Sequence, residues 1–453
     1  MKIVNPATAL VIGEIVDTRS SDVAIAVAKA RSAQPDWADL LVAERVEVLT
    51  RFKDLLGANH ERLARTLSQE MGKPLKQAKN ELNAMPGRID FFLENTANAI
   101  AAEKVYDEGG MVEYVRYEPL GVVANISAWN YPYFVGSNVF VPALLCGNTV
   151  LYKPSEIATL TGISIAELLW EAGVPRDVFQ VLPGDGAIGS AILEAPIDGV
   201  FFTGSLPTGR KIASAVASRM VRVQLELGGK DPTYVCEDVD PKAAAESLSD
   251  GAMYNAGQSC CSVERIYVHE AIAPQFIEAF VECVKGFVVG EPENEATYIG
   301  PLARPAQVAV LEAQVADAVG KGAKLLVGGK RHALGGSYFE PTVLTHVNHT
   351  MAVMREESFG PIIGIQVVKS DDEAIALMND TDYGLTAGIY TKDEARARNV
   401  LEQVNAGSVY WNCCDRVSPR LPWTGRRGSG IGSTLGVLGI RAFVQPKAWH
   451  ERR

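Results

Sequence analysis

Between residues 122 and 228 the chain alternates short apolar runs with helix-like stretches, and this alternation restricts the fold more than any other feature. "GVVANISAW", "NTVLYKPSE", "VFQVLPG", "GVFFTGS" and "VRVQLELGG" read as strands. Between them "TGISIAELLWEAG", "AIGSAILEA" and "PTGRKIASAVASR" read as helices, the first closed by Gly173. Strand and helix in strict turn imply a parallel sheet covered on both faces. A second α/β run extends from about 233 to 415, with strands in "RIYVHE", "FGPIIGIQVVK" and "GLTAGIYT" and helices at 272–286 and 304–320. Upstream, a helix at 21–33 starts on a Ser-Asp cap, and two longer amphipathic helices at 42–70 and 75–103 are separated by Gly72 and Pro74. "MVEYVRYEP", from 111, is β-rich.

A chain of 453 residues suits two or three domains. Its 47% hydrophobic and 21% charged residues are ordinary for a soluble globular protein. The net charge of −11 argues against a nucleic-acid surface. The N-terminal "MKIVNPATALVIGEIV" lacks a continuous apolar core and a small-residue cleavage site, and no stretch is apolar enough to span a membrane. Seven cysteines, an odd number without regular spacing, suit a reducing compartment, so a cytoplasmic location is expected. With no C-x-x-C and six scattered histidines, no metal site is expected.

Residues 184–189, Gly-Asp-Gly-Ala-Ile-Gly, form a formal G-x-G-x-x-G. The confirming acid about twenty positions on is missing, because residue 204 is glycine. A glycine-rich turn, with Gly186 near a cofactor, is the better reading. "FTGSLPTGR" puts Gly204 and Ser205 between a strand and a helix, where backbone N–H groups favour phosphate. "LYKPSE" ends another strand with Lys153, Ser155 and Glu156, residues suited to ribose hydroxyls.

Four further stretches matter together: "SAWNYP" (127–132), "LELGGKDP" (225–232), "NAGQSC" (255–260) and "EESFGP" (356–361). With "KPSE" and "FTGS" they resemble the NAD(P)-dependent aldehyde dehydrogenase superfamily nearly end to end, from "VNPAT" to "GRRGSGIG". The chemistry explains why these residue types belong together. Hydride can leave an aldehyde carbon only after an adduct forms, and a thiolate both adds and leaves readily. The oxyanion needs donors aimed at it, and a carboxylate can activate water to hydrolyse the resulting thioester.

The resemblance implies Cys260 as nucleophile, Glu226 as base for the water and Asn130 as oxyanion donor, assisted by the backbone N–H of Cys260. It implies Lys153 and Glu156 at the adenosine ribose, Ser205 at the pyrophosphate, and Glu357 and Phe359 at the nicotinamide ribose and ring, with Trp129, Ser155, Gly186 and Gly204 as further candidates for cofactor contact. NAD is the expected cofactor, since Glu156 would repel a 2′-phosphate, and NADP is possible because Lys153 lies close. The implied fold is an aldehyde dehydrogenase-like α/β protein: a Rossmann-type nucleotide-binding domain (1–109 and 122–228), an α/β catalytic domain (229–428) and a small β oligomerisation element (110–121 and 429–453), assembled as a homodimer or homotetramer. A CoA-acylating relative is the alternative, against which Glu226 speaks, as is an inactive nucleotide-binding relative, against which the intact trio speaks.

The chain departs from the family at Val437, where many members carry a second glutamate, and at "PWTG", residues 422–425. Succinate semialdehyde dehydrogenases tend to carry an arginine in the helix after the oxyanion asparagine; here Asn138 stands in its place. The partner expected is a small aldehyde. Tyr131, Tyr133, Trp411 and Trp423 are candidates for an aromatic tunnel, and Arg416 and Arg420 for gripping an acidic tail. In "YNAGQSCC" the helix is expected to stop near Gly257, with Cys260 and Cys261 on a short extended link facing opposite ways. Cys261 is then expected to pack inward as a small apolar residue.

Overall fold

All five residues of Val122–Ile126 are buried, and successive side chains leave a strand on opposite faces. Val122, Ala124 and Ile126 join one apolar cluster and Val123 another, so the strand needs cover on both sides. The computed structural model, describing residues 1–453, supplies it. The strands Phe179–Val181, Thr149–Lys153, Val122–Ile126, Gly199–Thr203 and Arg222–Glu226 lie side by side and parallel. In chain order this is 3-2-1-4-5, a doubly wound sheet whose switch point falls between the first and fourth strands.

Helix α1 (Ser20–Asp39) covers one face together with Gly186–Glu194 and Leu206–Val216. Helices α2 (Val42–Ala58), α3 (His60–Met71), α4 (Leu75–Ala99) and α5 (Pro132–Leu145) pack against the other. A second sheet of seven strands runs Lys324–Val327, Thr342–Thr345, Ile362–Val368, Arg265–His269, Pro232–Val235, Thr386–Tyr390, Ser408–Trp411. Only its Lys324–Val327 edge is antiparallel. It has a separate core of 45 buried residues. The two α/β layers expected from the alternation are present.

Local expectations fail at four places. The helix expected over 42–70 is two, broken at Asn59, whose side-chain amide donates to Leu55 O at 2.9 Å and competes with helix propagation. The helix expected over 75–103 ends at Ala99, because Glu103–Glu108 pairs antiparallel with Met111–Pro119 across Gly109 and Gly110. Both glycines have positive φ (59° and 78°), as a tight two-residue hairpin turn requires. Val444–Arg452 completes a three-stranded sheet, which therefore takes in 103–108 as well as the expected stretch from 110.

Gly430–Ile431 pairs with Leu225–Glu226 at the edge of the first sheet, so this part of the expected tail belongs beside the nucleotide sheet. Finally, α1 begins without a side-chain cap and continues past Pro35 to Asp39, where Trp37 Nε1 donates to Leu144 O at 2.9 Å. No helix is long and apolar enough to cross a membrane, all seven cysteines are free, and no cluster of residues suited to a metal is present.

Candidate active site

The C-terminal ends of Val122–Ile126 and Gly199–Thr203 open into a cleft of about 1080 Å³. A crevice at the switch point of a doubly wound sheet is where such folds bind ligands. Lys153, Ser155, Glu156, Gly186, Gly204 and Ser205 line it, and Trp129, Asn130, Glu226, Cys260, Glu357 and Phe359 line it too. The candidate cofactor and catalytic residues, spread over 230 positions, thus share one cavity.

The two glycine-bearing helix starts differ. The G-x-G-x-x-G stretch follows the third strand, not the first, and Asp185 Oδ1 already accepts from Ala187 N at 2.8 Å. Its own side chain caps that helix. At Leu206–Val216 the N-cap Ser205 donates instead to Thr208 Oγ1 at 3.0 Å and its side chain caps no backbone N–H, while Gly204, Ser205 and Thr208 line the cleft. Lys153 Nζ is buried, donates to Pro154 O at 3.1 Å and lies 3.9 Å from Glu156 Oε2, while Glu156 is half exposed.

At the other end, the Glu357 carboxylate fits against Gly228 and Gly229. Gly229 N donates to it at 3.2 Å, and a Cβ on Gly228 would overlap it. Burial pushes Glu357 up to about 8. Phe359 has a left-handed backbone (φ 46°), and its ring meets Trp129 edge-on at 5.5 Å. Glu264 holds this segment in place, accepting from Ser358 N at 3.0 Å, from Phe359 N at 3.1 Å and from the buried Lys230 at 2.5 Å. Lys230 and Glu264 had no role in the sequence reading. Lys230 stood in a quoted motif, but nothing local marks Glu264.

Around the nucleophile, Pro241–Met253 is followed by Asn255, Ala256 and Gly257, all left-handed (φ 55°, 54° and 68°). The helix stops four residues before Gly257, and Cys260 and Cys261 lie in a turn closed by Ser262 N to Ser259 O at 3.2 Å, not on an extended link. The left-handed run is sustained by hydrogen bonds: Asn255 N to Gln77 Oε1 at 2.9 Å, and Asn255 Nδ2 to Asn130 O and Gln258 O at 3.2 and 3.1 Å. Asn130 Nδ2 donates to Gln258 O at 3.1 Å, which occupies one of its two amide hydrogens.

Cys260 is half buried and faces the cleft, and Cys261 is buried. Cys261 is not simply an apolar filler, because its thiol donates to Asp415 Oδ1 at 3.0 Å. The hydrogen bond with Cys260, burial and the charge of Asp415 hold the Cys261 thiol well above its usual range. Glu226 ends a strand, is 5% exposed, and is pushed up to about 7 by burial. Thr434 Oγ1 and Gln224 Nε2, the latter at 3.1 Å, both donate to Glu226 Oε1. Val437, by contrast, is 44% exposed.

The residues expected to line an aldehyde tunnel scatter. Tyr131 stacks on Phe134 at 6.0 Å beside Asn130, and Lys73 Nζ lies 3.8 Å from its ring centroid. Tyr133 points the other way, fully buried in the helical core with its hydroxyl donating to Leu63 O at 3.3 Å, because its position on α5 faces α3. Trp411 ties its indole to Thr391 O on the edge of the seven-stranded sheet. Trp423 is buried and bridges Thr434 through backbone bonds. Arg416 and Arg420 are on an exposed loop. Asn138 is buried and accepts from Arg88 Nη1 at 2.7 Å, an arginine on α4 that the sequence reading did not single out.

A family model described as "Aldehyde dehydrogenase family" matches residues 1–449. Similar solved structures include succinate-semialdehyde dehydrogenase from Burkholderia pseudomallei, with 35% identity, 100% of this chain and 94% of that chain covered, and TM-score 0.98. An NAD-dependent aldehyde dehydrogenase from Sinorhizobium meliloti shares 35% identity over 100% of this chain and 91% of that one, TM-score 0.97. An NADP dependent enzyme of E. coli shares 32% over 100% and 94%, TM-score 0.97. With residues 1–449 matched, the chain belongs to the aldehyde dehydrogenase family.

Proposed function

We propose the following division of labour for the NAD(P)-dependent oxidation of an aldehyde to a carboxylic acid. The Cys260 thiolate adds to the aldehyde carbon, and the free amide hydrogen of Asn130 with the backbone N–H of Cys260 donates to the developing oxyanion. A bound nicotinamide cofactor supplies the hydride acceptor. The thioester left on Cys260 is hydrolysed by water that Glu226 deprotonates. A carboxyl held near 7 is half ionised at neutral pH, poised to take that proton.

The observation that carries this reading is that Cys260, Glu226 and Asn130 line one cleft together with the candidate cofactor residues. The cleft also fits the cofactor: a free helix start at Ser205 for phosphate, Lys153 and Glu156 for a ribose, and the poorly satisfied Glu357 for the second ribose. Relatives that are NAD-dependent and NADP-dependent by name support use of either cofactor. The half-exposed Glu156 carboxylate favours NAD, since it would face a 2′-phosphate.

Residues 1–102 and 122–228 serve as nucleotide domain and 229–428 as catalytic domain, with 103–108 in the three-stranded sheet. The exposed Glu103–Glu108 edge supports joining of copies through the three-stranded sheet, as a homodimer or homotetramer. Seven free cysteines are in keeping with a reducing cytoplasm. The test is Cys260→Ala, measured with an aldehyde panel against NAD and NADP. Aldehyde-dependent NADH formation should vanish while nucleotide binding persists, and continued turnover would refute the assignment.

A further inference from the structure

Asn255 is fully buried and does not line the cleft, so the chemistry above gives it no part. Its hydrogen bonds nevertheless run to the residue proposed as oxyanion donor. Asn255 Nδ2 donates to Asn130 O at 3.2 Å and to Gln258 O at 3.1 Å. Gln258 O also accepts from Asn130 Nδ2 at 3.1 Å, as a carbonyl with two lone pairs can. The bonds close a ring in which Asn130 is held at its backbone carbonyl and at its side-chain amide. Asn255 braces both holds, and Gln258 ties the ring to the turn that carries Cys260.

The brace is itself fixed. Asn255 N donates to Gln77 Oε1 on α4 at 2.9 Å, and Gln77 Nε2 donates to Tyr298 O at 2.9 Å. Asn255 O accepts from Gln258 Nε2 at 3.1 Å, and Gln258 Oε1 accepts from Ala303 N at 2.9 Å. This arrangement is costly. The Asn255 backbone is left-handed (φ 55°), a conformation asparagine tolerates better than most residues, and its Oδ1 is buried with no partner. The equally buried Asn148 has no such deficit: its Oδ1 accepts from Gly121 N, and its Nδ2 donates to Ala143 O and Phe443 O. Holding the fold leaves the orphaned oxygen of Asn255 unexplained, whereas its two donors both serve the ring.

The ring also decides which way the Asn130 amide faces. The oxygen and nitrogen of an asparagine amide are nearly alike in shape, but Gln258 O accepts only the nitrogen. We propose that Asn255 is a positioning residue for the oxyanion donor. By bridging Asn130 O and Gln258 O it fixes the Asn130 amide, so that the remaining N–H meets the tetrahedral adduct without reorganisation. This proposal rests on the oxyanion role of Asn130 beside Cys260.

The experiment compares an attack by Cys260 that makes an oxyanion with one that does not, both without cofactor. With p-nitrophenyl acetate the thiolate adds to the ester carbonyl, forming a C–S bond, and the tetrahedral oxyanion collapses as the C–O bond breaks and p-nitrophenolate leaves. With iodoacetamide the thiolate displaces iodide in one step. Both rates are followed at Cys260 by peptide mass spectrometry in wild type, Asn255→Ala, Asn130→Ala and the double variant. Asn130→Ala should slow acylation about 10²–10³-fold, and Asn255→Ala about tenfold or more, with alkylation changed less than about twofold. In the Asn130→Ala background, Asn255→Ala should cost nothing further, because it acts through the amide already removed. Acylation unchanged by Asn255→Ala, acylation and alkylation lost together, or the same loss in both backgrounds overturns the proposal. Should Asn255→Ala not fold, as judged by thermal unfolding, Asn255→Asp decides by the same pattern, since it keeps the shape and the left-handed tolerance while removing the amide donors. Acylation undiminished in Asn130→Ala would overturn the oxyanion role of Asn130 itself, a result distinct from failure of the Asn255 role.

Discussion

Thr434→Val isolates the tuning of the proposed base. Thr434 and Gln224 donate to the same oxygen of Glu226, and both bonds favour the ionised form against the burial that raises it. Valine keeps the shape of a fully buried threonine and removes only the donor. A hydrogen bond to a charged group is worth about 1.5–3 kcal/mol, and 1.36 kcal/mol corresponds to one pH unit, so the carboxyl should rise by about one to two units. The base works deprotonated, so the rate climbs with pH through its midpoint. That midpoint should move from about 7 to about 8–9.

At pH 7 the ionised fraction then falls roughly five- to fiftyfold. The assay is stopped-flow NADH fluorescence with saturating aldehyde. The pre-steady-state burst, which reports formation of the thioester, should keep its amplitude, while the steady-state rate drops at pH 7 and recovers on the alkaline plateau. A limb that stays near 7, or a loss that persists once the carboxyl is ionised, would refute the role of Thr434 as tuner of Glu226.

Two further changes probe how the site is held. Glu81→Gln breaks a fully buried pair with Lys73 and weakens the cap on α5, where Glu81 Oε1 accepts from Tyr133 N at 3.0 Å. It should cost about 3–5 kcal/mol in urea unfolding and lower kcat through a loosened Asn130. Gly257→Ala would place a side chain at φ 68° and push its Cβ into the backbone of Gly360, which directly follows the Glu357–Phe359 stretch. Destabilisation of roughly 3 kcal/mol or more, with a raised KM for NAD, is expected by unfolding and initial-rate measurements.

These tests touch contacts of very different visibility in the sequence. The doubly wound sheet was legible because parallel strands buried on both faces leave continuous apolar runs, such as "GVVANI", whatever surrounds them. That Cys260, Glu226 and Asn130 would share one cleft was legible because each lies in a short motif whose residue types the proposed chemistry demands. The Gly109–Gly110 hairpin was also written locally, as a Gly-Gly pair between β-prone runs, but the helical pattern before it was extended four residues too far.

What stayed hidden shares one cause: its meaning depends on partners far along the chain. Thr434 meets Glu226 across 208 positions, and Cys261 meets Asp415 across 154. Arg88 follows Met85 on the buried face of α4, where spacing alone predicts a core residue. A charge at such a position is the reverse of what burial favours, so a mid-helix arginine reads as surface until the fold is known. The fold puts it beside Asn138, the position where the sequence lacked a cation. That contact comes from α4, so a search along α5 alone could not have found it.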